Sequence, residues 1–168
     1  KKLLQPVQLD IQKNTNTLKW PVSLVVASPR TGHTVFLQWL ASLELFSYST
    51  NFLSRFAYAP YLGALIQKML FDKQYDFNNE LSDIQSEVNF ESYFGKSRGA
   101  LATHEFHHFF RNYMPNIDPK YLTNSEINQV DFKGMKSGFA SIEQAFNKPF
   151  VTKGFMLQYN IEQVFSNI

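Results

Sequence analysis

A polar turn separates two apolar runs near the start of the chain, and it limits the folds that this sequence can adopt. Residues 22–41 read VSLVVASPRTGHTVFLQWLA. The first run, Val22–Ala27, is short, unbroken and β-branched, as in a central parallel strand that is covered on both faces. After the turn, apolar residues recur at helical spacing from about Gly32 to Phe46. The stretch therefore predicts a strand, a tight turn and a helix.

A second unit of the same kind is predicted near the end of the chain. The apolar segment Phe150–Thr152 is closed by Lys153 and Gly154, and the amphipathic sequence FMLQYNIEQVF follows. Repeated strand–helix order implies an α/β fold with a parallel sheet, whose ligands bind beyond the carboxyl ends of the strands. We expect Val22–Ala27 and Phe150–Thr152 to be parallel neighbours, with Arg30 and Lys153 at one pocket.

The remaining segments carry weaker signals. Residues 1–20 are polar and lysine-bearing, which favours a loosely packed extension. The other predicted elements are helical pieces in 52–75 interrupted near Pro60, a polar loop or insertion at 76–98, a helix or a strand leading into one at 101–113, a break at Met114–Pro119, and a helical stretch over Asn124–Phe146.

Composition restricts the class of protein. The 168 residues are enough for one domain, 1–168, and the 44% of hydrophobic residues can form a substantial core. The net charge of +2 is too mild to indicate a nucleic-acid partner, and it suits a small anionic ligand. No apolar run approaches the ~18 residues of a membrane span, and the first residues lack the apolar core of a signal peptide. A soluble cytoplasmic protein is the expectation.

The turn itself is rich in hydrogen-bond donors. A helix that begins after Gly32 directs its free N–H groups and the positive end of its dipole at the turn. Gly32 permits a close approach of the backbone, Arg30 adds a permanent cation, and Thr31 and Thr34 add hydroxyl donors. The turn is therefore predicted to bind a phosphate. Alternatively, it is an ordinary strand–helix connection that contains an arginine by chance.

One phosphate-binding pattern matches only in part. Ala27–Thr34 is close to the Walker A form, but Ala27 replaces the first glycine and His33 replaces the lysine. Loss of that lysine removes the group that reaches the transferred phosphate. A P-loop phosphotransferase is therefore an alternative rather than the leading hypothesis.

The turn resembles the 5′-phosphosulfate-binding loop of PAPS-dependent sulfotransferases, which usually reads Pro-(Arg/Lys)-(Ser/Thr)-Gly-Thr-Thr. The residues that fit this pattern are Pro29, Arg30, Thr31, Gly32 and Thr34. His33 departs from it, although its backbone N–H would still face the phosphate. Two other stretches are similar to segments of the family: THEFHHFFRNY, which starts at Thr103, and NKPFVTKGFMLQYNIEQVF, which starts at Asn147.

The resemblance implies a three-layer P-loop-like fold that is incomplete at its C-terminus, because the family's 3′-phosphate-binding segment would follow Ile168. It also implies a single sulfotransferase-like domain that transfers a sulfonate from PAPS to a hydroxyl or amine and leaves PAP. The acceptor would be a small molecule or a carbohydrate. Residues Arg30–Thr34 would bind the cofactor, and Lys153 would contact the phosphosulfate. A nucleotide-binding protein without turnover is a further alternative.

The catalytic base is not at the family's common position. Many sulfotransferases carry a histidine two residues after the lysine, but Phe155 stands there in this chain. The resemblance therefore moves the role of proton acceptor to Glu105 or His104. A base placed near a cationic pocket is chemically suitable for this role.

The same segment satisfies the H-E-x-x-H pattern of zinc metallopeptidases. On a helix, His104 and His108 would share a face and bind Zn²⁺, with Glu105 as the general base and Glu126 as a third ligand. That function is kept as an alternative to the metal-free sulfotransferase. A third interpretation assigns these histidines to packing among the phenylalanines of residues 106–110.

Overall fold

The computed structural model describes residues 2–15, 17–28, 30–75, 78, 88, 90–93 and 96–168. Pro29 and much of the predicted loop at 76–98 lie outside the described residues. The described α-helices are α1 (Gln5–Asn14), α2 (His33–Ser42), α3 (Pro60–Phe71), α4 (His107–Phe110), α5 (Asn124–Ile127), α6 (Phe132–Phe146) and α7 (Ile161–Asn167). The described strands are β1 (Ser23–Val25), β2 (Ser47–Tyr48), β3 (Ser92–Tyr93), β4 (Lys96–Ser97) and β5 (Phe150–Lys153).

Three strands form a small parallel sheet in the order β1-β5-β2. Leu24 lies opposite Thr152 and Val25 opposite Lys153, so β1 and β5 end at the same edge. The predicted parallel pairing of the two strand–turn–helix units is confirmed, and the protein has a mixed α/β fold with helices flanking the sheet.

The fully buried strand is β5 rather than β1. All four residues of β5 are buried, whereas all three residues of β1 are half-buried. The β-branched composition of Val22–Ala27 predicts cover on both faces, and this expectation is wrong for β1. In the described part of the chain, β1 pairs with β5 alone.

An aromatic core supports β5. The rings of Phe106 and Phe109 stack at 4.7 Å between centroids, and Phe139 from α6 lies 4.9 Å from Phe109 and 5.8 Å from Phe150. All four side chains are fully buried. Burial of a side chain of this size contributes about 1.5–3 kcal/mol, so the cluster fixes the segment around Phe106 to the sheet.

Helix α6 forms where its sequence supplies signals at both ends. The side chain of Asp131 accepts a 2.8 Å hydrogen bond from the N–H of Gly134, which caps the first turn. Asn147 ends the helix in the left-handed region at φ 52°, a conformation that asparagine tolerates. The predicted helical stretch over Asn124–Phe146 is thus two helices, α5 and α6, because the chain turns between Asn128 and Asp131.

The first residues are not the loose extension that their composition predicts. Within them, α1 packs against α6 and α3. Gln8 is buried and donates to the hydroxyl of Ser141 at 3.1 Å, and its oxygen accepts from the N–H of Tyr61 at 2.9 Å. The Gln8 amide is buried with hydrogen bonds to both its nitrogen and its oxygen, and these bonds anchor α1. Hydropathy alone does not predict this docking.

Two other boundaries differ from prediction. Helix α2 ends at Ser42 instead of Phe46, and Glu44 follows it with a positive φ of 58°. The amphipathic segment after Gly154 begins as a turn and becomes helical only at Ile161. Among the described residues, no helix is both long and apolar enough to cross a bilayer.

A buried carboxylate on α6 leads to a prediction about stability. Glu143 is 2% exposed, and one oxygen accepts from the N–H groups of Lys19 and Trp20 at 3.2 and 3.4 Å. Burial raises the pKa of Glu143 above its ordinary value, although the backbone N–H groups oppose the shift.

The contribution of Glu143 to stability is therefore fully present below the carboxyl pKa of the unfolded chain and is lost as the pH rises through the folded pKa. We expect Glu143→Gln, which keeps an acceptor oxygen, to remove this loss. Urea midpoints of both proteins across acidic to neutral pH measure it, and parallel curves would contradict it.

Candidate active site

The turn after β1 has the geometry of an anion cradle. Arg30 and Gly32 both have positive φ, 70° and 85°, and α2 starts at His33 directly after Gly32. The N-cap residue of α2, Gly32, has no side chain to cap the helix, so within the described residues the first N–H groups of α2 remain available to a ligand. The turn therefore presents backbone donors at the positive end of a helix dipole.

The two threonines of the turn have different roles. The Thr31 hydroxyl donates to the carbonyl of Ser28 at 2.7 Å, so it holds the turn rather than a ligand. Thr34 is buried, and its hydroxyl oxygen accepts from the Lys153 ammonium at 2.9 Å. Thr34 keeps its own hydroxyl proton for another acceptor. The Arg30 side chain is exposed at the edge of the turn.

Lys153 ends β5 next to this turn. Its side chain is 1% exposed, and the following N–H, of Gly154, donates to the carbonyl of Val25 at 2.9 Å. Burial lowers the pKa of Lys153 from its ordinary value, and the carboxylate of Glu105 opposes that shift. Among the described residues, the Lys153 ammonium donates one hydrogen bond, to the Thr34 hydroxyl, so it has unused donors that an anion in the cradle would satisfy.

Glu105 faces Lys153 from the other side of the site. One carboxylate oxygen lies 3.9 Å from the Lys153 ammonium, and the other lies 3.1 Å from Nε2 of His107. The contact with His107 lowers the pKa of Glu105 most, with smaller contributions from Lys153 and His33, while partial burial opposes the shift. Glu105 is therefore ionised at neutral pH, and its side chain is 39% exposed.

The imidazole of His33 faces the same charges. Burial and the nearby Lys153 lower the pKa of His33, although Glu105 and the carbonyl of Ser28 raise it. His33 is thus neutral at neutral pH, where the Walker A pattern would place a lysine. The cation at this site is Lys153, which reaches the first turn of α2 from the neighbouring strand.

His104 is oriented by the backbone. Its Nδ1 accepts a 2.9 Å hydrogen bond from the N–H of Phe106, which has a left-handed φ of 58°. Burial is the largest of several effects that lower the pKa of His104 to about 4, so the ring is neutral at neutral pH. With Nδ1 engaged as an acceptor, the single ring proton sits on Nε2. His104 therefore donates a hydrogen bond and does not accept a proton there.

The helical arrangement expected for H-E-x-x-H is wrong. Helix α4 begins only at His107, and the left-handed Phe106 separates it from His104, so His104 and His108 do not share a helical face. Glu126 binds Lys120 at 2.5 Å and completes the capping box of α5 with Thr123. Within the described residues, no three metal-ligating side chains are grouped. The left-handed residue that breaks the motif is Phe106, whose ring stacks on Phe109 in the core.

A cavity of about 750 Å³ opens beside Glu105. It is lined by residues after β2, by the β4 hairpin and by the 103–107 segment: Asn51, Phe52, Arg55, Lys96, Ser97, Gly99, Ala100, Thr103, His104, Glu105 and His107. Its volume suits a molecule of the size of a drug or a disaccharide. The Thr103 hydroxyl is buried and has no hydrogen-bond partner among the described residues.

Sequence reasoning missed His107. Its ring stacks on Phe155 at 5.7 Å and 27°, and its Nε2 contacts Glu105. The His107 imidazole thus lies against Phe155, and Phe155 occupies the position at which the resemblance to sulfotransferases predicts a histidine. Sequence spacing does not predict the contact between His107 and Glu105, because it depends on the left-handed backbone of Phe106, which lies between them.

These contacts define a site in which an anion cradle, a buried cation and an ionised carboxylate meet at one sheet edge. Comparison of the chain with protein-family models, with curated proteins and with solved structures found no match.

Proposed function

We propose that this protein is a PAPS-dependent sulfotransferase with a P-loop-like fold, which transfers a sulfonate to a hydroxyl or amine of a small-molecule or carbohydrate acceptor. The observation that carries the proposal is the contact between the Lys153 ammonium and Thr34 in the first turn of α2, with Glu105 3.9 Å from the same ammonium. A cradle and a buried cation suit a phosphosulfate, and an adjacent carboxylate suits an acceptor hydroxyl.

The residues fit the charge of the cofactor. The backbone N–H groups after Gly32 and the Thr34 hydroxyl supply donors, and Arg30 and Lys153 supply cations. Donors and cations of this kind are the groups that bind phosphate and sulfate oxygens. PAPS, when bound, supplies the sulfonate and takes the electron pair of the broken S–O bond as PAP.

The roles of the protein groups follow from their positions. Lys153 neutralises the charge that develops on the leaving phosphate oxygen. Glu105 accepts the proton of the acceptor hydroxyl as the oxygen forms its bond to sulfur. His107 holds the Glu105 carboxylate through the 3.1 Å contact.

Calorimetry with PAP tests the proposal. We expect the full-length protein to bind PAP, and Arg30→Ala to weaken that binding by roughly 1.5–3 kcal/mol, the contribution of a hydrogen bond to a charged group. Lys133→Ala is the matched control, because Lys133 is an exposed cation on α6. Unchanged affinity in Arg30→Ala would remove Arg30 from the site. Preference for ATP with Mg²⁺ over PAP would instead indicate a phosphotransferase.

A further inference from the structure

A second, smaller recess adjoins the main cavity. It has a volume of about 160 Å³ and is lined by Asn51, Ser54, Arg55, His104 and His108. Three of these residues, Asn51, Arg55 and His104, also line the 750 Å³ cavity that contains Glu105. The two spaces are therefore neighbours, with Arg55 and His104 at their common wall.

The recess is electropositive. Arg55 carries the only permanent charge among its lining residues, and none of the described carboxylates pairs with Arg55. His104 presents an N–H, because its Nδ1 is engaged by the Phe106 backbone. The negative charge of Glu105, the residue after His104, belongs to the main cavity, because Glu105 lines that cavity and not the recess.

The wall of the recess is held in place. The amide nitrogen of Asn51 donates to the carbonyls of Ser97 and Gly99, each at 2.9 Å, and the Ser54 hydroxyl donates to the carbonyl of Asn51 at 2.7 Å. The backbone of His104 is tied to Ser49 by hydrogen bonds of 2.8 and 2.6 Å. A preformed pocket loses less conformational entropy when it binds a ligand.

We propose that the recess binds an anionic group of the acceptor, a carboxylate, sulfate or phosphate, while the hydroxyl of the same molecule lies at Glu105. Arg55 makes the charged contact, His104 supplies a neutral donor, and the imidazole of His108 lines the same recess. This inference rests on the proposed function and adds the chemical class of its acceptor, a hydroxylated anion. The H-E-x-x-H motif then encloses an anion with its two histidines and presents its glutamate to the adjacent cavity.

The recess is unsuited to the alternative guests. A metal cation would meet the Arg55 charge and a histidine whose Nδ1 is already used. Arg55 is exposed, so its guanidinium is solvated in the free protein, and an anion gains a charged contact there that a neutral acceptor lacks. The unpartnered Thr103 hydroxyl in the main cavity is a further contact for an acceptor that carries several polar groups.

The test uses two pairs of hydroxylated probes that differ by one carboxylate. The pairs are methyl glucuronide with methyl glucoside, and 4-hydroxyphenylacetate with 4-hydroxyphenethyl alcohol. Binding of each probe to the full-length protein is measured by calorimetry with and without PAP. We expect the carboxylate member of at least one pair to bind about tenfold more tightly, the scale of one charged hydrogen bond.

Two variants assign that preference to the recess. Arg55→Gln should abolish it and leave PAP affinity unchanged, and His108→Gln should reduce it. Lys68→Gln, which removes a cation from another cavity, should keep it. Absence of any carboxylate preference, or the same preference in Arg55→Gln, would overturn the inference. Loss of PAP binding alone would contradict the sulfotransferase proposal and leave an Arg55-dependent anion site standing.

Discussion

Replacement of Lys153 by methionine is expected to reduce sulfonate transfer by about 10²–10³-fold, the cost of removing one preorganised electrostatic contact from a transition state. The Lys153 side chain is 1% exposed. Its ammonium donates to Thr34 in the first turn of α2 and lies 3.9 Å from the Glu105 carboxylate. Methionine fills a similar volume without the charge, so the loss reports on electrostatics rather than on packing.

The same substitution should not destabilise the protein. Lys153 is held by one hydrogen bond to Thr34, at 2.9 Å, and its ion pair with Glu105 is long, at 3.9 Å. Burial lowers the pKa of Lys153, which means that the folded protein disfavours the charged form. Removing one partner of a buried ion pair destabilises a protein when the other charge is left buried and unpaired. Glu105 is 39% exposed and keeps its contact with His107, so no such charge remains after the substitution. Activity should therefore fall while stability is largely retained.

Lys148→Met is the matched control. Lys148 precedes the same strand, is exposed, and donates to the carbonyl of Glu44 at 2.7 Å. Its replacement should leave the transfer rate unchanged. Measured turnover gives the activity of both variants, and urea midpoints give their stability. A Lys153→Met protein that transfers at the wild-type rate would remove the ammonium from the mechanism, and a large loss of stability would show a structural role.

The parts of the site that sequence could predict are those fixed by local pattern. Both β1 and β5 were recognisable as apolar runs followed by a turn. Because parallel neighbouring strands end at a common edge of the sheet, the sequence predicted that Lys153 lies close to the turn after β1. Gly32 was recognisable as a turn residue because glycine permits a close approach of the backbone, but its positive φ of 85° was not predicted.

The parts that sequence could not predict depend on tertiary contacts. The sequence left residues 101–113 as a helix or a strand leading into one, and the zinc alternative required a continuous helix over 104–108. The structure has a turn with a left-handed residue, Phe106, whose ring stacks on Phe109 at 4.7 Å. That turn places His107 against Glu105 and Phe155. The docking of α1 likewise depends on the buried amide of Gln8 rather than on any apolar periodicity.

The same turn decides between the two candidate bases. His104 and Glu105 are adjacent, and both line the main cavity. However, the Nδ1 lone pair of His104 is occupied by the N–H of Phe106, which leaves Nε2 protonated and unable to take a second proton without forming an imidazolium. Burial disfavours that cation most, His107, His108 and Lys153 add to the effect, and the pKa of His104 is lowered to about 4. Glu105 is ionised and has accepting lone pairs, so Glu105 is the base that we propose.

Glu105→Gln should therefore lower the transfer rate by roughly 10²–10⁴-fold, the range for loss of a general base. PAP affinity should be retained, because the α2 turn and Lys153 remain, and stability should be largely retained, because the side chain is 39% exposed. His104→Ala should behave differently, since it removes the acceptor of the Phe106 N–H and should cost about 1 kcal/mol of stability. Single-turnover rates at saturating PAPS, with urea midpoints beside them, separate the two effects. If Glu105→Gln transfers at the wild-type rate while folded His104→Ala does not, the base is His104 and the tautomer argument is wrong. If both variants keep the wild-type rate, neither residue is the base, and the 104–108 segment serves packing and acceptor binding alone.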